Sequence, residues 1–141
     1  MPAFDQCHDQ VVRAFENDGW TLVASNVAVP SPQRVVYIDA AFQRGRNGSI
    51  ESLMLIEIKC FSHPNTVTTD LYTAIGQYLI YRSMLAARQP IVTPLYLVVP
   101  MPIFRSVFDT IVIDVIDQAG IQLVTVDLIE ERIVSWYKSR P

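Results

Sequence analysis

Cysteine is scarce in this chain, with only Cys7 and Cys60 among 141 residues. Two isolated cysteines exclude a disulfide-rich scaffold and a zinc site, whose ligands come in closely spaced pairs. A disulfide between them is not expected either, because nothing at the start of the chain points to an oxidising compartment. Met1-Pro2-Ala3-Phe4-Asp5 lacks a basic segment followed by an apolar one, so no signal peptide is expected and the default location is cytoplasmic. Long hydrophobic runs are absent too. None approaches the roughly 18–20 residues of a membrane span. Charge is sparse, at 18% of residues, and basic charge is in deficit: the net charge is −3 and the pI about 5.2. That is the wrong sign for holding DNA tightly by electrostatics alone, although Arg44 and Arg46 provide a small basic patch. Repeats, low-complexity tracts and linkers are missing, which leaves one domain over residues 1–141.

Hydrophobic residues make up 50% of the chain, enough for a folded core. The most informative stretch is Ser52 to Phe61, which reads as a central strand covered on both faces. Glu57 and Lys59 sit in its middle. Alternation points them to one face with Leu53 and Leu55, and points Cys60 the other way as a buried thiol. A charge in an apolar layer is costly unless paired or bound. Glu57 and Lys59 therefore form either an ion pair within the sheet or part of a metal site. Val35 to Phe42 reads as a second apolar strand whose single charge is Asp39. Asn47-Gly48 between the two is a hairpin signal. Folding back about it pairs positions whose numbers add to about 95 or 96. On the larger sum Asp39 faces Glu57. Two carboxylates and a lysine on one buried face suit a divalent cation with oxygen ligands.

The flanking segments complete the pattern. Phe4 to Asp18 reads as an amphipathic helix ended by Gly19, with His8 on a half-buried edge. Trp20 to Ala24 reads as a short strand, and Ser25 to Arg34, with Pro30 and Pro32, as a loop. Thr69 is the expected cap of a helix from Asp70 to Arg88. Its core side carries Leu71, Ile75, Tyr78, Leu79 and Leu85, interrupted by Arg82, while Gln77 and Tyr81 stand one turn apart on the other side. Leu95 to Val99 and Ile121 to Val126 read as strands, Ile103 to Ala119 as one helix, and Leu128 to Ser139 as a last helix. That apolar last helix would dock on its own core or on a second subunit of a homo-oligomer.

A helix, three strands, a helix and a strand describe a mixed sheet flanked by helices, an α/β (α+β) fold with an αβββαβ core. Asp39 and the later Glu57-Ile58-Lys59 resemble the signature of the PD-(D/E)xK nuclease superfamily, with its restriction-endonuclease-like fold, although Ile38 stands where that signature has proline. Gln77 and Tyr81 resemble the Gln-x-x-x-Tyr motif of its RecB-like members. A wider resemblance rests on five places: Asp5 with His8, Asp18-Gly19-Trp20, Glu57-Ile58-Lys59 with Phe61, Gly76-Gln77-Tyr78 with Tyr81, and Glu131 before Trp136. Together they resemble the XisH family, the fdxN-element excision controlling factors of cyanobacteria. That resemblance implies a role in programmed DNA excision during heterocyst development, beside a site-specific recombinase and a companion excision factor. The nuclease-superfamily resemblance implies a Mg²⁺ or Mn²⁺ site held by Asp39, Glu57 and the Ile58 carbonyl. Lys59 would be catalytic, and Gln77, Tyr81 and His8 would support DNA binding. A non-catalytic DNA- or partner-binding factor on the same fold is the alternative.

Overall fold

In the computed structural model, which describes residues 6–88 and 93–137, Asn47 and Gly48 turn the chain between β2 (Val35–Arg46) and β3 (Ser49–Ile58). Both have positive φ, 51° and 80°, as a two-residue hairpin turn requires. The register shifts between Arg44 and Gly45. Next to the turn Arg46 pairs with Ser49, while beyond the shift Arg44 pairs with Ser52 and Ala40 with Ile56. Both expected registers therefore occur, and the shift fixes the larger one where Asp39 and Glu57 lie. Gly45 makes this possible, because a Cβ there would stand 1.9 Å from the Ser49 carbonyl oxygen.

Around this hairpin the chain builds one six-stranded sheet in sequential order. It is preceded by α1 (His8–Asn17), and β1 (Thr21–Pro30) forms one edge. α2 (Val67–Arg88) carries the chain over to β4 (Leu95–Pro100), which runs parallel to β3. α3 (Met101–Val107) and α4 (Thr110–Ala119) lead to the parallel β5 (Leu123–Asp127), and β6 (Arg132–Tyr137) returns antiparallel as the other edge. The first six elements have the αβββαβ order expected from the sequence. One core, under α2 and α4, contains Ile38, Leu55, Tyr78, Leu97 and Ile116. The other, under α1, contains Phe15, Phe42, Met54, Ile56 and Tyr96. Every residue of β4 is buried, which accounts for its unbroken apolar sequence. Arg82, which interrupts the apolar side of α2, donates to the carbonyls of Ala119 (2.7 Å) and Gly120 (3.1 Å) and so closes the C-terminus of α4.

Several boundaries differ from the sequence reading. β1 continues through the expected loop to Pro30, because it is an edge strand and a proline at its last residue removes no ladder bond. The helix expected from Ile103 to Ala119 is two helices, since Asp109 is extended and its carboxylate accepts the Val112 N–H (3.0 Å) to start a new one. α2 begins at Val67, after a 3₁₀ turn at Pro64–Thr66, so Thr69 is not its cap. The expected C-terminal helix is a tight turn and a strand. The Asp127 carboxylate accepts the N–H groups of Ile129 and Glu130, both at 2.9 Å, and β-branched and aromatic residues then pair with β5. The start of the first expected helix and the end of the last lie outside the described residues. Cys7 and Cys60 are joined by a disulfide with a Cα separation of 5.8 Å, against the expectation of free thiols. Alternation did place Cys60 correctly, away from Glu57 in the α1-side core.

Candidate metal centre

The ladder between β2 and β3 ends at Ala40 and Ile56, and Asp39 takes over from it. Its Oδ2 accepts the Ile58 N–H at 2.7 Å, using a donor that would otherwise face the next residue of β2. Alternation along β2 breaks here: Ile38 packs in the α2-side core and Ala40 in the α1-side core. Across the other edge of Asp39, Asn26 has φ 50° and interrupts the β1–β2 pairing between Ser25–Ala40 and Val27–Ile38. Nothing in the strand pattern announced this irregularity. The only hint was the residue type, since asparagine tolerates the left-handed region better than most.

Glu57 lies between Ile56 and Ile58, with 6% of its surface exposed. It shares the α2-side face with Leu55 by alternation. Burial, first, and then a hydrogen bond to the Asp39 carboxylate and that group's charge push the Glu57 carboxyl up to about 10. The Asp39 backbone N–H and the Lys59 charge oppose this only in part. Burial and the neighbouring Asp39 thus favour the protonated form of Glu57. A buried carboxyl against a half-buried carboxylate is a place where a cation could stand in place of the proton.

Lys59 is half-buried and, among the described residues, makes no ion pair within 4.0 Å. The ion pair within the sheet, one of the two sequence readings, is thus not what holds it. Its backbone N–H bonds the Val98 carbonyl at 2.9 Å. Its side chain lines a polar recess of about 120 Å³ with Gln6, His63 and Asp70. On α2, Tyr81 is half-buried and its phenol is pushed up by burial first and then by the charges of Glu57 and Asp39, so it lies within reach of their field. Gln77 is half-buried one turn earlier on the same helix. His8 is buried at the start of α1, which packs on the opposite face of the sheet.

The donor set suits a small hard cation. Mg²⁺ commonly takes one or two carboxylates and fills its remaining positions with water. Asp39, Glu57 and the Ile58 carbonyl have the oxygens that would hold such an ion. Among the described residues no group of three or more His, Cys, Asp or Glu converges. A cation here would accordingly depend on this pair and on its waters.

An αβββαβ core with a carboxylate pair on two adjacent antiparallel strands and a lysine two residues on defines the class: a mixed-sheet α+β domain flanked by helices. A family profile described as XisH protein matches residues 1–134, and the chain belongs to that family. The fold is similar to the crystal structure of an XisH family protein from Nostoc punctiforme PCC 73102, with a TM-score of 0.83 and 26% identity over 95% of this chain and 100% of that one. It is also similar in fold to an fdxN element excision controlling factor protein from Anabaena variabilis, with a TM-score of 0.79 and 24% identity over 92% of this chain and 95% of that one. No curated protein matches the chain.

Proposed function

We propose that this chain supports programmed site-specific DNA excision and carries a Mg²⁺-dependent phosphodiesterase site at Asp39, Glu57 and Lys59. The observation that carries the reading is the meeting of the half-buried Asp39 carboxylate with the buried Glu57 carboxyl, beside a lysine that no carboxylate pairs among the described residues. Membership of the XisH family and the fold likeness to an fdxN element excision controlling factor protein support the biological half, and a site-specific recombinase and a companion excision factor are the partners this reading proposes.

Asp39, Glu57 and the Ile58 carbonyl would hold the metal, which when bound supplies positive charge against the phosphate oxygens. Lys59 orients the attacking water and stabilises negative charge as that water's oxygen bonds to phosphorus and the bond to the leaving sugar oxygen breaks. Tyr81, with Gln77 a turn away, positions the strand.

The test is cleavage of single-stranded, duplex and branched DNA by the pure protein with Mg²⁺ or Mn²⁺. Cleavage should appear with metal, vanish with chelator, and be lost in Glu57→Ala. In Lys59→Met it should fall by orders of magnitude with little change in denaturant midpoint, since no buried ion pair is broken. A second reading is a non-catalytic DNA- or partner-binding factor, and the net charge of −3 favours its partner-binding form. Metal-independent binding of DNA or of the recombinase, with no cleavage of any substrate, would establish that reading and reject the first.

A further inference from the structure

A groove of about 430 Å³ opens where the parallel strands β4 and β5 end. Arg105 of α3 and Arg132 of β6 line it, together with Met101, Leu128 and Ile129. Both arginines are exposed, and among the described residues neither makes an ion pair within 4.0 Å. The one acid of the lining, Asp127, accepts the N–H groups of Ile129 and Glu130 on its Oδ1. Glu131, in the same turn, is paired with Arg13 at 2.6 Å, and its carbonyl accepts the Asn17 amide at 2.8 Å. These bonds hold the turn from both sides. Ile129 is nonetheless 92% exposed, more than any other large hydrophobic side chain among the described residues. The groove also lies at the same end of the sheet as the candidate metal centre. Ile58 is level with Val98, and Pro100, two residues further, is level with Val126. β5 is two strands from β3, about 10 Å away. Open α/β sheets bind ligands outside the carboxyl ends of their parallel strands.

We propose that this groove holds an unpaired stretch of DNA strand, with phosphates on Arg105 and Arg132 and a base against Ile129 and Met101. Charge selects the occupant. Two guanidinium groups against one carboxylate make the groove locally cationic on a chain of net charge −3, and guanidinium matches the geometry of phosphate oxygens. The apolar part selects the form of the strand, since only an unpaired strand offers the face of a base. The proposal rests on the DNA half of the proposed function, and not on cleavage.

The test is fluorescence anisotropy of a labelled oligothymidylate, in chelator, over a range of salt. The wild type should bind at low salt, and annealing the complementary strand should weaken binding. Arg105→Gln and Arg132→Gln should each weaken binding and flatten the log–log salt dependence by about 0.7, the share of one phosphate contact. Ile129→Ser should weaken binding several-fold with the salt slope kept, and should lose nothing on a strand of abasic sites. All three replaced side chains are exposed, so circular dichroism melts should match the wild type. Metal is absent throughout, so a failure to cleave DNA counts against the phosphodiesterase site alone. A wild type that binds no strand at low salt or prefers the duplex, or three variants that bind as it does, would overturn the proposal. Loss of recombinase binding in Ile129→Ser with strand binding intact would overturn it in favour of a protein partner.

Discussion

The pairing of Asp39 with Glu57 has a direct consequence for stability. The Glu57 carboxyl stands well above its ordinary value because it is buried against Asp39, so the folded chain keeps a proton that the unfolded chain releases. Without metal, stability is fully present below about pH 4.5 and declines as pH rises towards about 10. The slope reaches at most about 1.4 kcal/mol per pH unit. Urea midpoints in chelator should therefore fall between pH 5 and 9 in the wild type and stay nearly level in Glu57→Gln. Mg²⁺ at the alkaline end should restore the wild-type midpoint and leave the variant unmoved, through binding to the native state alone. A wild-type midpoint that rises with pH, or an equal Mg²⁺ gain in both proteins, would remove the cation from this site. The carboxylate pair was legible because parity and an Asn-Gly turn are local signals. What the lysine does was not, because whether Lys59 reaches a partner depends on side-chain direction rather than on position in a strand.

Elements follow the same division. Helices and strands whose apolar period agrees with their place in the sheet were readable, as with β3, β4 and α2. β6 was misread because Ile129, Ile133 and Trp136 have helical spacing, and only the Asp127 turn with its pairing to β5 settles the matter. The break between α3 and α4 hid because its cap, Asp109, stands inside an apolar run. Two candidate caps can now be set against each other. Asp109→Ala removes the acceptor for the Val112 N–H and should cost about 1 kcal/mol, read as a lower thermal midpoint. Thr69→Ala, in the exposed first turn of α2, should stay within about 0.5 kcal/mol. A larger loss for Thr69→Ala would contradict the start of α2 at Val67.

For the molecule as a whole, the sequence conveyed the layered αβββαβ core but not its covalent closure. The Cys7–Cys60 bond was missed because two cysteines far apart in sequence signal nothing until a fold brings α1 against the end of β3. It closes a ring of chain that includes β1, β2 and all of β3, with Asp39 on one strand and Glu57 on the next. Hydroxylamine cuts chains at Asn-Gly bonds, and Asn47-Gly48, in the exposed turn, is the only such pair here. The cut separates a fragment holding Asp39 from one holding Glu57 and Lys59. In denaturant without reductant the two should migrate as one species, and with reductant as two. Parting without reductant would disprove the bond. A cut chain that keeps it need not find its other half by diffusion: the fragments remain at the effective concentration of a tether, and the reunion of the two carboxylates on refolding becomes a first-order event, independent of dilution.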